Sequence, residues 1–182
     1  MKIRKCEGRL KNGEIVLFRS ANKSDAFELL KLFFQWSNES QYLLRTPEEC
    51  TMTLQENEEL LEIYEIHPLR AMIIAEKEGK IVATASIYPR TELFKGKHRA
   101  VFGITINKNE WGNGLGTEMI KKVIKTAKAI GYTQLELGVF SENLRALKLY
   151  EKMGFSECGR IPYAAKKTDG HFMDEILMVK IL

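Results

Sequence analysis

Trp111-Gly112-Asn113-Gly114-Leu115-Gly116-Thr117 joins a strand-like run over residues 101–106 to a helical pattern over residues 118–130. Three glycines at alternate positions leave backbone amides uncovered by side chains at the positive end of a helix dipole, which makes a seat for a phosphate or pyrophosphate. Spacing excludes two common glycine loops. A Walker A loop ends in Gly-Lys-Ser/Thr, whereas Thr117-Glu118 follow the last glycine here. A dinucleotide fingerprint places its third glycine one position later, where this chain has Thr117. Neither ATP nor NAD is the natural reading.

A second segment lies one helix and one strand downstream. Behind the apolar strand pattern 134–140 comes Ser141-Glu142-Asn143-Leu144-Arg145-Ala146-Leu147-Lys148-Leu149-Tyr150-Glu151-Lys152-Met153-Gly154-Phe155. Leu144, Leu147 and the 150–151 turn fall on one helical stripe, Ser141 is placed to cap the first turn, and Gly154 supplies a left-handed stop.

Both segments resemble the GNAT superfamily of acyl-CoA-dependent N-acetyltransferases. The loop resembles the family's pattern Gln/Arg-x-x-Gly-x-Gly/Ala at positions 111–116, with Gly114 and Gly116 matching and Trp111 in place of Gln or Arg. The second segment resembles Asn-x-x-Ala-x-x-Leu-Tyr-x-x-x-Gly-Phe at Asn143, Ala146, Leu149, Tyr150, Gly154 and Phe155. The resemblance implies an α/β (α+β) fold: a mixed, mostly antiparallel sheet whose splayed parallel central strands, here 101–106 and 134–140, are flanked by helices.

Around these segments the order reads β-α-α-β-β-β-α-β-α-β-β, with no repeat or linker to divide residues 1–182 into more than one domain. Residues 14–19 read as the first strand. Asn22 with Asp25 opens a first helix, and Thr46-Pro47-Glu48-Glu49 is a capping box whose helical region runs toward Tyr64. Residues 71–75 and 81–88 form a hairpin around Glu78-Gly79, and residues 160–166 and 172–180 flank the turn dipeptide Asp169-Gly170.

Bulk properties bound the function. The 182 residues are 45% hydrophobic and 29% charged, ordinary for a globular chain. No apolar run is long enough to span a bilayer, and the start Met1-Lys2-Ile3-Arg4-Lys5 lacks the apolar centre of a secretion signal, so a cytoplasmic protein without a membrane partner is expected. Cys6, Cys50 and Cys158 show neither disulfide nor zinc spacing, so no metal is expected. A net charge of +4 is too modest to indicate nucleic acid, and Lys121, Lys122, Lys125 and Lys128 read as the solvated face of the loop helix.

Carried over position by position, the resemblance implies acetyl-CoA as co-substrate. Trp111, Gly112, Asn113, Gly114, Leu115, Gly116 and Thr117 form the pyrophosphate loop, and the backbone of Ile104, Thr105 and Ile106 pairs with pantetheine like an added strand. Asn143, Ala146 and Tyr150 lie along the same arm, with Tyr150 as the general acid for the departing thiolate. Many relatives carry a glutamate early in the central strand, but Val101 stands there. His98, Glu136 or a water chain is left to remove the amine proton.

The acceptor wall is expected around residues 35–42, including Trp36, Glu39 and Tyr42, with Tyr88, Tyr163 and His171 as further candidates. Three readings stay open: transfer to a primary amine on a small molecule (amino acid, polyamine or amino sugar), transfer to a protein N-terminus or lysine, and a non-catalytic acyl-CoA-binding module. A homodimer is implied by resemblance.

Overall fold

In the computed structural model, which describes residues 3–182, eight strands form one sheet in the order β1-β2-β3-β4-β5-β6-β8-β7. The strands are β1 (Cys6–Arg9), β2 (Ile15–Ser20), β3 (Ala71–Lys77), β4 (Lys80–Pro89), β5 (Arg99–Ile106), β6 (Gln134–Phe140), β7 (Ser156–Lys166) and β8 (Phe172–Ile181). Four α-helices accompany them: α1 (Ala26–Glu39), α2 (Leu54–Ile66), α3 (Leu115–Ile130) and α4 (Leu144–Lys152). Met1 and Lys2, part of the start read for a secretion signal, lie outside the described residues.

Every strand pair is antiparallel except β5 with β6. That parallel register covers only Arg99↔Gln134, Ala100↔Leu135 and Val101↔Glu136. Beyond Val101 the two strands part, so the splayed central pair expected from the sequence is present, and its gap runs between residues 102–106 and 137–140.

Period-two alternation sorts the core into two layers. Ala71, Ile73 and Ala75 face the apolar stripe of α3, formed by Leu115, Met119, Ile120, Val123 and Ala127. Met72 and Ile74, on the opposite face of β3, pack with Leu29 and Trp36 of α1 and Leu61 and Tyr64 of α2. Each such apolar side chain, once fully buried, stabilises by about 1.5–3 kcal/mol. Lys121, Lys125 and Lys128 form the solvated face of α3, while Lys122 is half-buried, its Nζ 5.1 Å from the Phe18 ring centroid.

Four local readings are corrected. Strand β1, absent from the sequence reading, pairs with β2 across a turn at Gly13; its four residues alternate between half-buried and exposed, too weak a pattern to register. The capping box at Thr46 and Glu49 forms, but it caps only a 3-10 turn (Pro47–Glu49), because Cys50 leaves helical geometry at φ −81° and ψ 66°. A second box, Thr53 with Glu56, starts α2.

The cap of α4 is Asn143, whose side chain accepts from the Ala146 amide, whereas the Ser141 N–H donates to the Asp174 carbonyl of β8. Leu144 is exposed and leaves the apolar stripe to Leu147 and Tyr150. Gly154 does adopt the left-handed stop, at φ +82°.

Candidate active site

Between β5 and α3, Gly112 and Gly114 take φ values of +86° and +96°, which side chains disfavour. Asn113 holds the turn in three directions. Its Oδ1 accepts from the Leu115 N–H at 3.0 Å, its Nδ2 donates to Glu110 at 2.7 Å, and its carbonyl accepts from the Lys11 amide at 3.0 Å. The amides of Gly112, Asn113, Gly114, Gly116 and Thr117 donate to no acceptor among the described residues. They surround the positive end of the sixteen-residue helix α3, an arrangement suited to a pyrophosphate. A Cβ on Gly116 would stand 2.8 Å from Leu149 Cδ2, so this glycine lets α3 start directly against α4.

The exposed edge of β5 comes next. Asn107 donates to Val82 and Arg90 to the Arg99 carbonyl, so odd-numbered residues of β5 bond to β4. Ile104 and Ile106 therefore turn their backbone groups into the gap, while Thr105 spends its own on Thr84. The Ile106 carbonyl already accepts from the Trp111 indole N–H at 3.0 Å. Trp111 in turn lies under Arg145, whose guanidinium carbon is 4.5 Å from the ring centroid. A cleft of about 470 Å³ runs from this point along Ile104, Asn143, Ala146 and Leu149 to Tyr150.

At Tyr150 that cleft meets a cavity of about 270 Å³ between the splayed strands. Thr84, Ser86, Phe102, Gly103, Gly138 and Glu175 form its floor and sides, and Phe33, Tyr42 and Leu43 cover it from the α1 side. The Tyr150 ring packs edge-on against Phe102 and Phe155, each with centroids 6.0 Å away. Its hydroxyl has no hydrogen-bond partner among the described residues. Burial pushes the phenol above its ordinary value of 10.0, so it keeps its proton. Asn143 spends its Oδ1 on the α4 cap, leaving its amide nitrogen for the cleft.

The other sequence candidates are placed as follows. His98 is exposed at the start of β5, at the opposite end of that strand from Ile104 and Ile106. Glu136 is gripped by Arg99, with Nη2 to Oε2 at 3.0 Å. Burial works to raise its carboxyl, but Arg99, Gln134 and Arg90 together bring it below the ordinary carboxylate range, so it stays ionised and engaged. Trp36, Glu39 and Tyr42 all line the cleft, Trp36 as a buried ring whose indole N–H donates to Asn107. The Tyr42 hydroxyl donates to the Glu142 carbonyl at 3.2 Å. Lys167 and His171, at the tip of the β7–β8 hairpin, both bind the Glu142 carboxylate. Tyr163 is exposed against Phe172, and Tyr88 lies on the uncovered face of the sheet.

Thr84 and Ser86 escaped the sequence reading, and Glu175 was not singled out there as a site residue. Glu175 did carry a signal: it is the one charge in the alternate set Met173, Glu175, Leu177, Val179, Ile181 of β8.

Residues 25–155 match the Acetyltransferase (GNAT) family, and the chain belongs to that family. A GNAT-family acetyltransferase from Streptococcus pneumoniae superposes with a TM-score of 0.88 at 29% identity, over 92% of this chain and 99% of that one. A Salmonella typhimurium protein solved with its cofactor acetyl-CoA gives a TM-score of 0.81 at 17% identity, over 92% and 94% of the two chains. The L-amino acid N-acyltransferase of Escherichia coli is 22% identical over 107 residues, 59% of this chain and 62% of that protein. The matched stretches span between 38% and 64% of the curated relatives' lengths.

Proposed function

We propose that the protein transfers acetyl from acetyl-CoA to a primary amine on a small molecule, with Tyr150 as the general acid. The observation that carries this reading is the Tyr150 hydroxyl, protonated and unpartnered on a buried ring where the cleft from the glycine loop meets the cavity between the strands. Unpaired loop amides suit the pyrophosphate, and the backbone of Ile104 suits a pantetheine amide. The amine nitrogen attacks the thioester carbonyl, the C–S bond breaks as the tetrahedral intermediate collapses, and the phenol proton passes to the thiolate. Cys6, Cys50 and Cys158 line neither the cavity nor this cleft, which favours direct attack over an acyl-cysteine.

Closure of the acceptor side favours a small acceptor over a peptide. Phe33, Tyr42 and Leu43 cover the cavity, and the Tyr42–Glu142 bond with the Lys167 and His171 pairs ties the hairpin tip to the start of α4. The E. coli relative named for L-amino acids points to the same acceptor class.

Thiol release from acetyl-CoA against amino acids, polyamines, amino sugars and short peptides tests the reading. Release with a small amine and not with peptides is expected, with Tyr150→Phe binding acetyl-CoA normally. Release with peptides alone would replace the acceptor class. Absence of release from protein that binds acetyl-CoA would favour a binding module without turnover.

A further inference from the structure

We propose that Glu175, on the last strand, is the catalytic base that takes the proton from the incoming ammonium, an assignment that rests on the acetyl-transfer reading. Its position comes from a glycine on the neighbouring strand. A Cβ built on Gly138 would stand 1.9 Å from Glu175 Oε1 and 2.7 Å from Cδ, so the carboxylate occupies the space above Gly138 that a side chain would fill. That space is the wall of the gap between β5 and β6. Glu175 lines the cavity that holds Tyr150 and also a larger cleft, about 690 Å³, on the uncovered face of β5, β6 and β8. It therefore stands at the junction between the reacting space and an approach from solvent.

The carboxylate is also uncommitted. Asp25 is bound by Arg19 at 2.8 Å, Glu76 by Arg19 at 3.0 Å, Glu136 by Arg99 and Glu142 by Lys167. Glu175 has no hydrogen bond or ion pair among the described residues. Arg90 and Arg99 line the larger cleft, and both guanidinium groups are directed to Glu136. An acid left unpaired in a cavity whose other polar side chains are Tyr42, Thr84, Ser86, Thr105, Asn143 and Tyr150 can attract a cation and accept its proton. Strand β5 carries no carboxylate of its own, and β8, two strands away, supplies one to the gap.

The protons balance. An ammonium R–NH3+ gives one proton to the Glu175 carboxylate and becomes the neutral nucleophile. Attack forms the C–N bond, and collapse breaks C–S while the Tyr150 proton goes to the thiolate. The nitrogen's second proton restores Tyr150, and Glu175 returns its proton to water. The sum is R–NH3+ plus acetyl-CoA giving the amide, CoA thiol and one released proton.

Two minimal nucleophiles separate this role from a structural one: methylamine, a cation at neutral pH, and hydroxylamine, which is uncharged there and needs no base. Glu175→Gln is expected to slow methylamine acetylation on the order of 10²-fold. Hydroxylamine acetylation above the uncatalysed rate should stay within about threefold of wild type, because no proton has to leave that nucleophile before attack. The acetyl-CoA dissociation constant, measured calorimetrically, should be unchanged, and Glu175→Asp should recover part of the methylamine rate. Equal losses with both nucleophiles, or no loss with either, would overturn the role of Glu175 alone. Wild type that binds acetyl-CoA and acetylates neither nucleophile would overturn the acetyl-transfer reading itself.

Discussion

The sheet differs on the two sides of its parallel pair. Toward β3 and β4 both faces are covered, one by α3 and the other by α1 and α2, and Ile73, Ile74, Ala75, Ala83 and Ala85 are wholly buried. Toward β6 and β8 only the face bearing Leu135, Leu137, Ile176 and Met178 is packed into the core. The opposite face, with Val101, Leu177, Val179 and Ile181, lines an open cleft. The covered half supplies the rigid wall from which β5 can part from β6 without unravelling, and the open half supplies access to the gap. Stability and chemistry thus rest on different sets of side chains, and substitutions should separate them.

The largest separation is expected at Tyr150. Tyr150→Phe should cost roughly 10²–10⁴-fold in kcat, with acetyl-CoA affinity within about threefold and an unchanged melting temperature, because the lost hydroxyl has no partner. The same burial gives a pH prediction. Since the phenol is held above its ordinary value of 10.0, the acid form persists there, and kcat measured to pH 10 should show no falling limb from this group. A fall centred on the ordinary value would show that Tyr150 is solvated during turnover.

Ile73→Ala tests the covered half. Deleting this fully buried side chain should destabilise by about 2–5 kcal/mol, which lowers the melting temperature by roughly 2–4 °C per kcal/mol in a chain of this size. Turnover at 20 °C should be retained. A collapse of activity in protein still folded at that temperature would mean that the two halves are coupled.

Gly138→Ala should do the reverse at smaller magnitude. The added methyl meets the far end of a flexible carboxylate, so the melting temperature should hold, while methylamine acetylation falls on the order of tenfold as Glu175 is displaced. An equal loss with hydroxylamine would assign the effect to a blocked cavity instead.

The smallest effect concerns the hairpin tip. Lys167, and after it His171, hold the Glu142 carboxyl below its ordinary 4.5, so this contribution is present at neutral pH and is lost as the pH falls through the lowered value. Hydrogen-exchange protection at residues 167–171, corrected for intrinsic rates, should drop at pH 3 relative to that of α3. Unchanged protection would show that the ladder of β7 with β8 holds the tip without the carboxylate.

What the sequence disclosed follows from contact range. The loop at 111–117 and the helix starting at Asn143 are legible because their geometry is set within a few residues: glycines at positive φ, a cap, a left-handed stop. The two-step entry into α2 was blurred because two capping boxes lie seven positions apart, at Thr46 and Thr53, and propensity alone does not show that Cys50 breaks the first turn. The place of Glu175 in the site was not legible from its local signal, for a different reason. Its role depends on lying opposite Phe140 and above Gly138, a register between strands separated by α4 and β7. His98 and Glu136 drew attention by their chemistry and nearness in sequence, but one is exposed and the other is bound to Arg99.

The bond from the Lys11 amide to the Asn113 carbonyl has a consequence for the order in which the chain becomes competent. The turn between the first two strands is one of the clamps on the glycine loop, although the rest of that loop's geometry is local. A folding intermediate in which β1 and β2 have not yet joined β3 would carry every loop residue and hold the loop less firmly. Affinity for the nucleotide should therefore appear late in refolding, after the helices, and a binding assay would time the closure of the sheet's first edge.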